Sequence, residues 1–305
     1  MTSYRGAWPA MVTPYDDALR IDRGAYRALV GWYIAHGVGG LYANCLTSEM
    51  YLLTAEERLL LVSEAVAAAG GQTPVAATGN LGDTLAAHIA FCQRVADAGA
   101  DVVMLVVPDF LDNDADLERY FMDVARQVAA PLGLYECPVP RPYHLSIELV
   151  ERLAHTGRFV AFKETSEDRA KIMALHRVTQ GTPLALLQAN TPYLLDAVRA
   201  GVPGTMSIAA AWLPDLVAAV IRAGAAGDPI APRLQAGLCC MELAQRVGHP
   251  HSTKYLLGKR GVPITAASRH PKSPLSPSVR RSLDYCAETW CDAAGELRIL
   301  REVGG

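Results

Sequence analysis

Between residues 7 and 222 the chain switches eight times from a short apolar, β-branched run to a longer stretch of helical character, and no other feature restricts its fold as strongly. The strand-like runs are 7–12, 40–43, 74–77, 102–107, 132–135, 159–162, 184–187 and 204–208. The helical stretches are 23–35, 55–69, 84–98, 116–129, 147–155, 168–179, 192–200 and 213–222. Several have readable edges. Thr54 followed by Glu56 and Glu57 starts one helix and Gly70-Gly71 stops it, while Ser146 before Ile147 and Asn190 before Thr191-Pro192 read as further N-caps. Such alternation implies a parallel sheet, because parallel neighbours need a crossover connection. Eight units fit a closed (β/α)8 TIM barrel. An open doubly wound sheet is the structural alternative, but it would usually carry a Gly-rich phosphate turn, and the sequence has no GxGxxG or Walker-type loop.

After Gly227 the strand-like runs cease. Residues 231–247, a second stretch around 253–259, and 279–300 look helical, with the Pro-rich Arg269-His270-Pro271-Lys272-Ser273-Pro274 segment between the last two. The predicted organisation is a barrel over 1–226 that carries the active site, and a C-terminal helical extension over 227–305 packed against it or a neighbour. The composition excludes several roles. A formal net charge of −3 and a pI near 6.2 give no basic footprint for nucleic acid. No apolar run approaches the roughly 18 residues of a membrane span, and Met1-Thr2-Ser3-Tyr4-Arg5 opens no signal peptide, so a cytoplasmic location is expected. Seven cysteines without a CxxC pair read as reduced thiols, and the eight histidines show no metal-ligand spacing, so no metal is expected.

In such a barrel the chemistry sits at the carboxyl ends of the strands. Lys163 ends the run Arg158-Phe159-Val160-Ala161-Phe162-Lys163, and Tyr135 ends the preceding strand. A lysine there projects its amine into a dry pocket, where desolvation disfavours the ammonium and leaves free amine to attack a carbonyl. A phenol beside it is a suitable proton shuttle. The plainer alternatives are a lysine snorkelling to water and a tyrosine capping the core.

The motifs at these ends resemble those of the dihydrodipicolinate synthase / N-acetylneuraminate lyase family of Schiff-base aldolases. The likeness runs from Ala10-Met11-Val12-Thr13-Pro14 to the helical tail. Tyr135-Glu136-Cys137-Pro138 corresponds to the family's Tyr-Asn-x-Pro, and Ala161-Phe162-Lys163-Glu164 to its Gly-x-Lys-[Glu/Asp]. The resemblance implies that Lys163 forms an imine with pyruvate or another 2-keto acid, that Tyr135 moves the protons, and that no cofactor is needed beyond this covalent imine. It also implies a homo-oligomer, a tetramer or dimer.

The chain departs from the family pattern at four places. Cys45-Leu46-Thr47-Ser48-Glu49 stands where Gly-[Thr/Ser/Asn]-[Thr/Ser]-Gly-Glu is common; the amides of Leu46 and Thr47, with the Thr47 hydroxyl, are expected to hold the keto-acid carboxylate. Phe110 replaces a tyrosine that reaches across the dimer interface in synthases. Glu136 replaces an asparagine, and Pro140 the arginine that binds the aldehyde partner's carboxylate, with Arg141 as a substitute one position along or as a neutraliser of Glu136. Gln188-Ala189-Asn190-Thr191 replaces a Gly followed by acidic residues, which suits an acidic or apolar second substrate. Ser48 and Met206 complete the expected substrate-contacting set of Leu46, Thr47, Phe110, Glu136 and Arg141. Loss of hydroxyls at Leu46 and Phe110 argues against 4-hydroxy-tetrahydrodipicolinate synthase of lysine biosynthesis. A dehydratase or hydratase-aldolase on a sugar acid or aromatic keto acid is a further alternative. A catalytically weak keto-acid-binding sensor is the rival from outside the enzymes.

Overall fold

The computed structural model describes residues 4–271 and 275–302. Its eight strands are β1 (Gly6–Pro9), β2 (Leu41–Ala43), β3 (Val75–Thr78), β4 (Val102–Val106), β5 (Leu132–Tyr135), β6 (Phe159–Glu164), β7 (Ala185–Gln188) and β8 (Gly204–Ser207). They pair in parallel in the order β1-β8-β7-β6-β5-β4-β3-β2. A parallel bridge between Ala10 and Tyr42 joins the two outer strands and closes the TIM barrel. Around it lie α1 (Arg23–Ala35), α2 (Ala55–Ala69), α3 (Leu85–Asp97), α4 (Asp114–Gln127), α5 (Ile147–His155), α6 (Arg169–Thr179), α7 (Leu194–Arg199) and α8 (Pro214–Ala226). Then come α9 (Ala231–Arg246), α10 (His251–Lys259), α11 (Pro277–Trp290) and α12 (Arg298–Arg301). Among the described residues no helix is long and apolar enough to cross a membrane.

Two apolar layers follow from the period of two along each strand. Outward side chains such as Leu41, Val103, Leu134 and Phe162 pack beneath the helices. Inward ones, Trp8, Tyr42, Met104, Tyr135, Ala161 and Met206 among them, fill the barrel. Glycine makes room for the largest. A Cβ on Gly40 would lie 2.3 Å from two ring carbons of Trp8, which is fully buried. Gly40→Ala is therefore expected to force that indole out of place and to cost roughly 1–3 kcal/mol, read as a lower urea midpoint at an unchanged slope.

Helix starts follow the caps seen in the sequence where the side chain has an N–H to reach. Thr54 and Glu57 form a reciprocal capping box, and Gly70 ends α2 with φ 54°. Ser146 accepts from Leu149 N at 3.0 Å. Asn190 behaves differently: a single 3-10 turn over Thr191–Tyr193 precedes α7, and the Asn190 side chain makes no cap bond. The helix expected over 279–300 is broken at Trp290, because Asp292 Oδ1 accepts from the amides of Ala294 and Glu296 and draws the chain into a turn through Gly295, φ 83°. Of the Pro-rich segment, residues 272–274 lie outside the described residues.

Candidate active site

Tyr135 and Lys163 are direct partners in the β5–β6 register, so alternation sends both side chains into the barrel at its carboxyl end. The Lys163 amine lies 4.4 Å from the centre of the Tyr135 ring and 5.1 Å from that of Tyr42. No carboxylate pairs with it among the described residues, and only 5% of the residue is exposed. Burial holds its pKa below the ordinary lysine value, with the neighbouring Cys45 and Cys137 thiols acting weakly the other way. Burial also pushes the Tyr135 phenol well above its usual range, so it is held as a neutral hydroxyl. The Tyr42 ring meets Tyr135 edge-on at 5.7 Å, and its own hydroxyl is tied to Thr78 Oγ1 at 2.9 Å. This packing fixes the phenol against the amine.

A cavity of about 530 Å3 opens above this pair. Leu46, Thr47 and Met206, three of the expected contact residues, line it. Leu46–Ser48 forms a 3-10 turn whose first N–H groups, those of Leu46 and Thr47, have no acceptor within the turn. The loop holds its shape without the family's glycines. Asn44 and Glu49 take positive φ, 55° and 62°, at its two ends.

Four of the expected contacts fall elsewhere. Ser48 turns into its own loop, donating to Met11 O at 2.7 Å and accepting from Cys45 N at 3.0 Å. Glu136 is buried behind the cavity wall, where its carboxylate accepts from the amides of Leu145 at 2.8 Å and Thr165 at 3.0 Å. Its basic neighbours are His144, at 3.4 Å, and Lys171, at 3.7 Å, not Arg141. Arg141 points away, donating to the carbonyls of Asp109 and Leu111 and stacking on Tyr143. Phe110 is half exposed and packs on His88 and Tyr120 in a second cavity, of about 600 Å3, that excludes Lys163. The common reason is that a polar or aromatic residue after a strand has several directions open to it. Backbone N–H and C=O groups of the neighbouring loops claim Ser48, Glu136 and Arg141 first.

Further residues, outside the expected contact set, complete the cavity. Arg246, His249 and His270 line it from the C-terminal extension, and Asn190 from the loop after β7. The Asn190 signal was available, since an amide replaced an expected acidic residue. Nothing local marks the other three, which are 83 or more positions from Lys163. His144 lies at the edge, its pKa raised by the Glu136 carboxylate. Cys45 and Cys137 are buried beside the amine, and burial raises the Cys137 thiol. One group among the described residues has metal-ligating spacing, His36, Asp215 and Glu296, but both oxygens of Asp215 are already held by Arg260 at 2.9 and 2.7 Å.

The arrangement, a buried amine with no carboxylate partner among the described residues, against a neutral phenol and below the Leu46 and Thr47 amides, suits imine chemistry on a carboxylate-bearing carbonyl compound. The profile of the Dihydrodipicolinate synthetase family matches residues 3–289. The chain is 30% identical over 229 residues to 4-hydroxy-tetrahydrodipicolinate synthase of Methanosarcina mazei, spanning 74% of this chain and 77% of that protein. Dihydrodipicolinate synthase DapA-2 of Bacillus anthracis superimposes with a TM-score of 0.87 at 26% identity, covering 93% of this chain and 98% of that one. YagE of E. coli K12, a prophage protein of the dihydrodipicolinic acid synthase family solved with pyruvate, shares the fold with a TM-score of 0.85 at 24% identity, over 94% and 98% of the two chains. The chain belongs to the dihydrodipicolinate synthetase family.

Proposed function

We propose that this class I aldolase-type lyase forms a Schiff base between Lys163 and pyruvate or another 2-keto acid. The observation that carries the reading is the Lys163 amine, buried against the Tyr135 ring without a counter-ion among the described residues. The neutral amine adds to the keto carbon, and the carbinolamine loses water to give an iminium. That cation stores the electron pair released when a C3 proton or a C3–C4 bond is lost, as an enamine. Tyr135 carries protons between the carbinolamine oxygen and the substrate. Leu46 and Thr47 hold the carboxylate, which fixes the carbonyl over the amine. The lysine supplies the electron sink, so the reaction as drawn routes no step through a metal or prosthetic group. A cytoplasmic homo-oligomer is the setting that the family resemblance suggests.

Borohydride trapping with a panel of 2-keto acids tests this directly. The expected result is a mass increase on the peptide carrying Lys163, absent in Lys163→Ala. Folded protein that yields no adduct with any keto acid would sink the Schiff-base reading.

The second reading is 4-hydroxy-tetrahydrodipicolinate synthase itself, the activity named for the M. mazei relative. Loss of the hydroxyl at Leu46, the outward Phe110 and the outward Arg141 weigh against it. Rescue of a lysine auxotroph would favour it.

A further inference from the structure

We infer that the outer wall of the Lys163 cavity is an anion subsite built on Arg246 with His249, and that the keto acid processed there carries a second carboxylate remote from its carbonyl. This inference rests on the Schiff-base reading and adds the class of substrate to it. Arg246 closes α9 and lines the cavity. Its Nε and Nη2 are held at 3.2 and 3.0 Å by Glu242 Oε1, a carboxylate that is itself buried. That grip orients the guanidinium while leaving Nη1 without an acceptor among the described residues. An arginine fixed along one edge presents its remaining donors to a planar anion with little entropy left to lose.

Two further observations point the same way. His249 lines the same cavity, with its ring held through Nδ1 at 2.7 Å from Thr253 Oγ1. Asn190 is 6% exposed, and its Nδ2 donor has no protein partner among the described residues. Arg246 Nη1 and Asn190 Nδ2 are thus two donors on this wall without an acceptor among the described residues. Among its described lining residues the only carboxylate is Glu167, which is solvent-exposed. The first carboxylate of a bound keto acid is taken by the Leu46–Thr47 turn, so these two donors above Lys163 have a distinct anion to meet. Arg141, the arginine expected there from the loop after β5, is spent on the carbonyls of Asp109 and Leu111. The anion-binding role thus moves from the β5 loop to the C-terminal extension.

The test compares 2-oxoadipate with 2-oxohexanoate, which match in length and differ in a terminal carboxylate against a methyl. The concentration giving half-maximal borohydride adduct on Lys163 is measured for each. It is expected to be about tenfold lower for the dicarboxylate, and the ratio should fall toward one in Arg246→Gln and partly recover in Arg246→Lys. A ratio taken within one protein is insensitive to loss of folded material. Should the variants not fold, the wild-type ratio at low and high salt still decides, since an anion preference shrinks with ionic strength. Equal half-saturation in the wild type, or a preference that survives Arg246→Gln, overturns the subsite. No adduct even with pyruvate would instead remove the underlying Schiff-base reading.

Discussion

Lys163→Met is expected to abolish the borohydride adduct and to slow exchange of the C3 protons of bound pyruvate on the order of 10^4-fold or more, because Lys163 is the only lysine among the described residues that line the cavity. Methionine keeps the volume and the apolar stem, so the loss reports chemistry and not collapse of the barrel mouth. Tyr135→Phe separates the two roles. It removes the proposed proton shuttle but not the proposed nucleophile, and should slow exchange by roughly 10^2–10^4-fold while the adduct still forms. The pH profile carries a sign. Burial depresses the Lys163 pKa, so the free amine, and with it the rate of imine formation, rises with pH and levels off below the ordinary lysine value of 10.5. Tyr135→Phe should keep that inflection, since it belongs to Lys163. Exchange that persisted in Lys163→Met at near wild-type rate would place the nucleophile elsewhere.

The barrel was legible because its information is local and repeated. A period of two in the strands, caps such as Thr54 and Ser146, and stops such as Gly70 each fix one element. The order of elements then leaves few topologies. Lys163 and Tyr135 were legible for a related reason: both end a strand, and adjacent strands in parallel register put such residues side by side. The rest of the cavity depends on direction and distance. Ser48, Glu136 and Arg141 sit where substrate contacts were expected, yet each is drawn to a backbone group that the sequence does not show to be unsatisfied. Arg246 and His249 reach the cavity only because α9 and α10 fold back over the barrel mouth, a tertiary event with no local signature.

Lys254→Met is expected to lower the unfolding free energy by about 3–5 kcal/mol, through a carboxylate left alone in the interior. The Lys254 amine donates to Glu49 Oε1 and to Ala267 O, each at 2.7 Å, and the two side chains are 0% and 1% exposed. Arg269 N donates to the other Glu49 oxygen at 2.7 Å, and the ammonium also faces the Tyr15 ring at 4.5 Å. The pair therefore pins α10 and the segment after it to the left-handed end of the loop that presents Leu46 and Thr47. Losing it should raise the concentration of pyruvate needed for half-maximal trapping as well as reduce stability, which ties the extension to the site. The pH dependence is specific. Burial brings Lys254 down to about 8 from 10.5, so between those values the unfolded chain holds a proton that the folded chain has released. This group then makes stability rise with pH across that window, and Lys254→Met should lack the rise. Replacing Glu49 by Gln in the same chain removes the orphaned charge and should recover a substantial part of the loss. A single-variant cost below about 1 kcal/mol, the range of exposed pairs, would mean that solvent reaches Glu49, and the coupling of extension to loop would have to run through Arg269 instead.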